Sequence, residues 1–265
     1  MTTSITRKSA IPITVWNPEL RSTSFRKTGS ALSVGLTRQI LNRSRVLRQT
    51  FFTLRPGRLP YRAGLALQER LLEREVQTDG DLLLLLEHPP TITLGRGADK
   101  QHLLTSPNQL EAVGIDLFRV ARGGDITYHG PGQLVGYPLV DLTRRDKDLH
   151  RFLRDLEELL IRVLGQWGID AARNSDKTGV WVGDRKIASI GIGVRRWITW
   201  HGFALNLDID LDGFNHIVPC GLQGVQMTSM AELLGTAPPR PDVEDALIGA
   251  FSEIFNADYA GAYGN

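Results

Sequence analysis

At 265 residues, 42% hydrophobic and 23% charged, the chain has an ordinary globular composition and is long enough to bury a substantial core. No apolar run is long enough to span a bilayer, which excludes a helical membrane protein. The single cysteine excludes an intramolecular disulfide and any zinc site built on several cysteines, and it fits a reducing compartment.

The net charge of +2 hides a division. Residues 1–50 hold nine Lys/Arg against one acid, Glu19, so the basic balance belongs to this leader and the remaining body is acidic. Its Ser, Thr and Arg content suits an organelle transit peptide, and it equally suits a disordered extension or upstream sequence read from a misassigned start. A third reading, a nucleic-acid-binding arm, lacks the interleaved aromatics that base stacking requires. No apolar stretch follows the basic start as in a secretory signal. The expected location is the cytoplasm, or an organelle matrix if the leader is a transit peptide. One folded domain is expected over 51–258, with 259–265 a short tail.

Regular structure is expected from near Phe51. Tyr61 to Thr78 reads as a helix with Leu65, Leu72 and Val76 on one face. The leucine run from Asp81 to Glu87, closed by His88-Pro89-Pro90, reads as a buried central strand. Thr91 to Leu94 is a second strand, ending at Gly95-Arg96-Gly97. A short helix near Asn108–Val113 and a strand around Leu117–Val120 lead into a glycine loop. Lys147 to Trp167 is the strongest helix, its stripe running from Leu149 through Phe152, Leu156 and Leu160 to Leu164 and ending before Gly168. Gly179 to Leu211 reads as consecutive strands joined by turns at Val182-Gly183-Asp184-Arg185 and Val194-Arg195-Arg196. Asp242 to Phe255 is a closing amphipathic helix. Strands and helices intersperse without regular alternation, which predicts an α+β fold: a mixed β-sheet with flanking helices.

Two separated segments carry the chemistry. Arg122-Gly123-Gly124-Asp125-Ile126-Thr127-Tyr128-His129 supplies a loop where backbone can approach a ligand, followed by an imidazole. Cys220 stands between Pro219 and Gly221 in a loop. A loop thiol becomes a nucleophile when a neighbouring base or cation favours its thiolate. Lys186, His129 and His201 are the candidate neighbours, and together these features point to acyl chemistry through a thioester. Lys186 leads into a small, glycine-rich stretch where it can be partly desolvated, although a lysine after a hairpin turn is commonly exposed. His88 reads as a strand-end residue, and His102, His150 and His216 as structural or solvent-facing. No His or acidic pair has metal-ligand spacing, so no metal is expected. Gly191-Ile192-Gly193 and Gly95-Arg96-Gly97 form no dinucleotide fingerprint, and no phosphate loop is present. Apolar glycine loops of this kind suit a short alkyl chain.

The sequence resembles the lipoyl(octanoyl)transferases of lipoate synthesis. The resemblance rests on Arg122 through Leu134, Thr178-Gly179-Val180-Trp181-Val182, Lys186 through Gly191, His201-Gly202-Phe203-Ala204-Leu205-Asn206, Pro219-Cys220-Gly221 and Thr228-Ser229, in the family's order over roughly residues 55–255. It implies a catalytic domain over 51–258 with a fold like that of biotin and lipoate protein ligases. It also implies octanoyl transfer from octanoyl-acyl carrier protein to a lysine of lipoyl domains, in 2-oxoacid dehydrogenase complexes and the glycine cleavage H protein. In that scheme Cys220 carries the octanoyl group, and Lys186 favours its thiolate and shuttles protons. Residues 122–129, Ser189-Ile190-Gly191 and Gly202-Phe203-Ala204 would bind substrate, with His201 a further candidate. The resemblance implies no cofactor, no nucleic acid and no membrane, and a monomer is expected. Acidic carrier domains imply a basic docking patch, for which Arg96, Arg122, Arg195 and Arg196 are candidates. Three rivals stand beside it: an ATP-dependent lipoate or biotin ligase, which needs no thiol; a non-catalytic binding domain; and a thiol hydrolase using Cys220 and His129.

Overall fold

The computed structural model describes residues 48–73, 80–175, 177–221 and 224–264. Most of the basic leader and the end of the first expected helix therefore lie outside the described residues. The described chain opens with β1 (Gln49–Arg58), just ahead of the expected start. Then come α1 (Tyr61–Glu73), β2 (Asp81–Glu87), β3 (Thr91–Leu94), α2 (Pro107–Ala112) and β4 (Asp116–Arg119). Next are β5 (Ile126–His129), β6 (Gln133–Leu139), α3 (Leu149–Gly165), β7 (Ala172–Arg173) and β8 (Val180–Val182). The chain closes with β9 (Arg185–Arg195), β10 (Ile198–Asn206), β11 (Gln226–Met227), α4 (Met230–Leu234), α5 (Arg240–Ile254) and β12 (Ala257–Ala262).

Among the described residues, nine strands form one mixed sheet in the order β12-β1-β2-β6-β10-β9-β8-β7, with β11 added on β9, and β4-β3-β5 form a small second sheet. β12, β1 and β2 run parallel, and neighbours from β2 to β7 run antiparallel. This is the α+β architecture that irregular interspersion predicts.

β2 explains the leucine run. Alternate side chains of a strand face opposite sides of a sheet. Leu83 and Leu85 enter a core with Phe152, Leu156 and Leu160 of α3 and Phe251 of α5, whereas Leu82, Leu84 and Leu86 enter another with Leu71 and Leu72 of α1. A strand covered on both faces shows no polar side, so no alternation is visible in its sequence. The side chain of Asp148 caps α3 by accepting the Arg151 N–H at 3.0 Å, and Gly168, with φ +71, redirects the chain after the helix.

Three expectations need correction. The buried face of α1 is Tyr61, Gly64, Gln68, Leu71 and Leu72, with Leu65 only half-buried and Val76 outside the described residues. A polar residue holds the middle of that face because Gln68 Oε1 accepts the backbone N–H of His201 at 2.8 Å. The β9–β10 reversal falls at Arg196-Trp197, whose φ values of 53° and 66° make a two-residue hairpin loop. Residues 259–262, expected in a tail, continue β12, whose largely exposed side chains conceal a strand held by backbone pairing with β1. No helix among the described residues is long and apolar enough to cross a membrane.

Leu84 is fully buried. Leu84→Ala is expected to lower the unfolding free energy by about 2–5 kcal/mol, read from the urea midpoint at unchanged slope.

Candidate active site

β9 and β10 form the wall of a cavity of about 240 Å³. Their register sets Ser189, Ile190 and Gly191 opposite Ala204, Phe203 and Gly202, and all six residues line the space. Two segments quoted separately from the sequence are thus one cross-strand patch.

The glycine loop is held against this wall and against the Gly95-Arg96-Gly97 loop. Backbone N–H groups of Gly95, Arg96 and Gly97 donate to the carbonyls of Asp125, Arg122 and Gly124 at 2.9, 3.0 and 3.1 Å, and Gly123 N–H donates to Ile192 O at 2.7 Å. Gly124, Asp125, Ile126, Thr127 and His129 line the cavity, and Gly123 and Tyr128 do not. Gly123 serves by that backbone bond, while Tyr128 packs against Phe214 in a third core at 5.4 Å. Arg122 lines the cavity as a strut. Its guanidinium donates to Thr93 O and Oγ1, both at 2.8 Å, and to Gly123 O at 3.0 Å. Burial pulls its pKa below the ordinary arginine value, opposed by attraction to Tyr61 and Cys220. Arg122 is therefore removed from the docking-patch candidates by burial, whereas Arg96, Arg195 and Arg196 are exposed.

Cys220 and Lys186 meet directly. Lys186, 1% exposed at the start of β9, donates from Nζ to Cys220 Sγ at 3.1 Å and to Thr178 O at 2.8 Å, with the Trp181 ring centroid 5.4 Å away. Cys220 itself is in the left-handed region (φ 58°, ψ 17°), a conformation that costs a non-glycine residue about 1–3 kcal/mol. The next residue must be glycine: φ is +68°, and a Cβ there would stand 2.2 Å from Asp125 Oδ2 and 2.6 Å from His102 Cε1. Asp125 and His102 are themselves paired at 2.5 Å, and Val218 N–H donates to His102 O at 2.8 Å. His102, read from sequence as structural or solvent-facing, thus ties the glycine loop to the cysteine loop.

A buried chain of polar groups links the remaining motifs. His129 Nδ1–H donates to Gln133 Oε1 at 2.8 Å, Gln133 Nε2 to Asn206 Oδ1 at 2.9 Å, and Asn206 Nδ2 to Thr228 O at 2.9 Å. Thr228 N–H then donates to Lys186 O at 3.0 Å. Because Gln133 and Asn206 each have one acceptor and one donor in use, His129 carries its proton on Nδ1. His88, expected at a strand end, is fully buried; its Nδ1–H donates to Leu59 O at 2.7 Å and its Nε2 accepts from the Tyr137 hydroxyl at 2.8 Å. Both ring nitrogens of His201 are buried without a hydrogen-bond partner among the described residues, and the residue lines the cavity. Burial lowers the pKa of His88 to about 4 and those of His129 and His201 to about 3, assisted at His129 by the charge of His88 and at His201 by that of Arg122. Burial also raises Tyr61 to about 12. The three imidazoles and Tyr61 are therefore uncharged at neutral pH.

Thr178, quoted in a family block, completes the lining with Tyr61, Tyr137 and Lys177, which went unnoticed as site residues in sequence. Tyr137 follows the glycine-loop block on β6, a strand not recognised there, and Lys177 directly precedes the quoted Thr178-Gly179-Val180-Trp181-Val182 block. Among the described residues no group of three or more His, Cys, Asp or Glu is arranged to hold a metal ion.

The lipoyl protein ligase A/B catalytic domain model matches residues 60–252. An octanoyltransferase of Myxococcus xanthus is 46% identical over 216 residues, covering 79% of this chain and 60% of that protein. An octanoyltransferase of Caldicellulosiruptor bescii is 47% identical, covering 75% of this chain and 89% of the relative. The chain belongs to the octanoyltransferase family of acyltransferases. A lipoate-protein ligase A crystallised with ATP superposes with a TM-score of 0.68 at 20% identity, covering 81% of this chain and 88% of that one, which shows a shared fold. Octanoyltransferase relatives and ATP-bound ligase structures thus surround the same architecture, and residues must distinguish their chemistries.

The three depressed imidazoles set a pH dependence of this family member's stability. Each is neutral in the folded chain and binds a proton in the unfolded chain below about pH 6.5, so their stabilisation is fully present above that value. It is lost as pH falls from about 6.5 towards the folded values of about 4 and about 3. The thermal midpoint is expected to drop between pH 7 and pH 5, with each imidazole adding at most about 1.4 kcal/mol per pH unit to the slope. His88→Gln is expected to flatten that dependence in calorimetric scans.

Proposed function

We propose that the protein transfers an octanoyl group from octanoyl-acyl carrier protein to a lysine of lipoyl domains, through an acyl-thioester on Cys220, as the first step of endogenous protein lipoylation. The observation that carries this reading is the 3.1 Å contact between a buried ammonium, Lys186 Nζ, and Cys220 Sγ at the edge of a cavity with apolar walls. A cation in low dielectric favours a thiolate, and the thiolate is the nucleophile.

The steps balance around this pair. Cys220 thiolate adds to the donor thioester carbonyl, and the tetrahedral adduct expels the carrier thiolate, which takes a proton from the Lys186 ammonium. The acyl chain lies along Ser189-Ile190-Gly191 and Gly202-Phe203-Ala204, in a cavity that Gly124 to Thr127 and His129 also line. The neutral amine of an acceptor lysine then adds to the Cys220 thioester. Lys186, now an amine, removes a proton from the adduct, Cys220 thiolate leaves, and the amide is complete. Two carrier proteins use one cavity in turn, which gives ping-pong kinetics. The acceptors are lipoyl domains of 2-oxoacid dehydrogenase complexes and the glycine cleavage H protein. Exposed Arg96, Arg195 and Arg196 are the docking candidates that remain.

An ATP-dependent ligase is favoured by fold alone but leaves Cys220 without a purpose. A hydrolase using Cys220 and His129 needs the imidazole at the thiol, yet the group hydrogen-bonded to Sγ is Lys186.

Intact-protein mass after mixing with octanoyl-acyl carrier protein is expected to show one octanoyl adduct, absent from Cys220→Ala and discharged by an apo lipoyl domain. Lys186→Ala is expected to slow transfer by roughly 100- to 10 000-fold. ATP-dependent transfer without an adduct would overturn the reading.

A further inference from the structure

Helix α3 carries an acid in its otherwise apolar stripe. Glu157 is 1% exposed beside Leu156, Leu159 and Leu160. A carboxylate taken out of water is strongly disfavoured unless its oxygens are engaged. Oε2 is engaged by two arginines, Arg154 Nη1 at 2.7 Å and Arg173 Nε at 3.5 Å. Oε1 is different: it accepts the backbone N–H of Gly179 at 3.0 Å.

That N–H belongs to the same peptide unit as Thr178 C=O, and Thr178 O accepts the Lys186 ammonium at 2.8 Å. One rigid, planar group therefore joins the helix carboxylate to the lysine. Hydrogen bonds in series polarise one another, so an anion on the N–H side makes the carbonyl a stronger acceptor for a cation. The packing agrees with this path. Gly179 has φ +123°, and a Cβ there would lie 2.5 Å from Lys186 Cε and 3.0 Å from Nζ, so the lysine runs tightly across this glycine.

We infer that Glu157 is a positioning residue: through the 178–179 peptide it aims the Lys186 ammonium at Cys220 and strengthens its hold there. Charges alternate along the path, from carboxylate through peptide dipole and ammonium to thiolate. The inference rests on the proposed role of Cys220 and Lys186.

The test compares E157A, which removes the acceptor, with E157Q, which keeps an acceptor without the charge. R173A removes an ion pair at Oε2 and leaves Oε1 on Gly179. Each variant is assayed for octanoyl transfer and for the pH profile of Cys220 alkylation by iodoacetamide. E157A is expected to lose roughly 10- to 100-fold in kcat at unchanged KM, with its alkylation profile displaced to higher pH. E157Q is expected between E157A and wild type, and it alone decides the matter if E157A does not fold. R173A is expected to keep the wild-type profile while losing thermal stability. Wild-type alkylation profiles in the folded Glu157 variants would overturn the inference, as would an R173A profile displaced like that of E157A. Absence of an octanoyl adduct in wild type would instead defeat the proposed function.

Discussion

A lysine ammonium held almost out of water against a thiol is the constraint around which this fold is organised. Burying a charge is costly, and the structure offsets that cost with Cys220 Sγ, Thr178 O and the Trp181 face around one Nζ. Such a contact persists only if both partners are fixed. Lys186 is fixed because β9 is flanked by β8, β10 and β11. Cys220 is fixed differently, by a left-handed turn seated on the Asp125–His102 pair. One partner sits on a strand and the other on a braced loop, which leaves a thiol that is partly open beside a lysine that is not.

Beyond Lys186 and Cys220 the cavity lining mixes the ionisable side chains of Arg122, Asp125 and Lys177 with uncharged polar and apolar groups. His129 and His201 line the cavity, His88 packs beside His129, and burial holds all three imidazoles neutral near pH 7. Burial strengthens the interaction between the Lys186 ammonium and the thiol. The His129-Gln133-Asn206-Thr228 chain shows why polar residues occur at such buried positions. Each satisfies the next, and the last bonds the backbone of Lys186 itself.

Fold and chemistry separate cleanly in this molecule. The architecture is shared at 20% identity with a lipoate-protein ligase crystallised with ATP, so architecture alone does not select a mechanism. Selection falls to a few side chains at the start of β9 and in the 219–221 loop. The helix α3 that fills the core on one face of the sheet also carries Glu157 to the peptide behind Lys186, so core packing and site geometry share one element.

By itself the sequence determined what depends on local pattern and on the chemistry of residue types. Helical periodicity marked α3, the leucine run marked β2, and a lone cysteine between proline and glycine singled out the 219–221 loop, whose Cys220 lines the cavity. Ordered motif blocks carried the family resemblance, and with it Lys186, the glycine loop and the 189–191 and 202–204 segments. Only the tertiary structure decided what depends on pairing between distant residues. That Ser189 faces Ala204, that Arg122 turns inward, and that Tyr61 and Tyr137 enter the cavity follow from strand register and packing. β12 went unread because backbone pairing with β1, which carries no side-chain signature, defines it, and β6 because Gly136 and Pro138 interrupt its buried apolar run. His88, His102 and Glu157 look like isolated polar residues along the chain. Each acquires its place from a partner more than 20 residues away, and no local pattern records that distance.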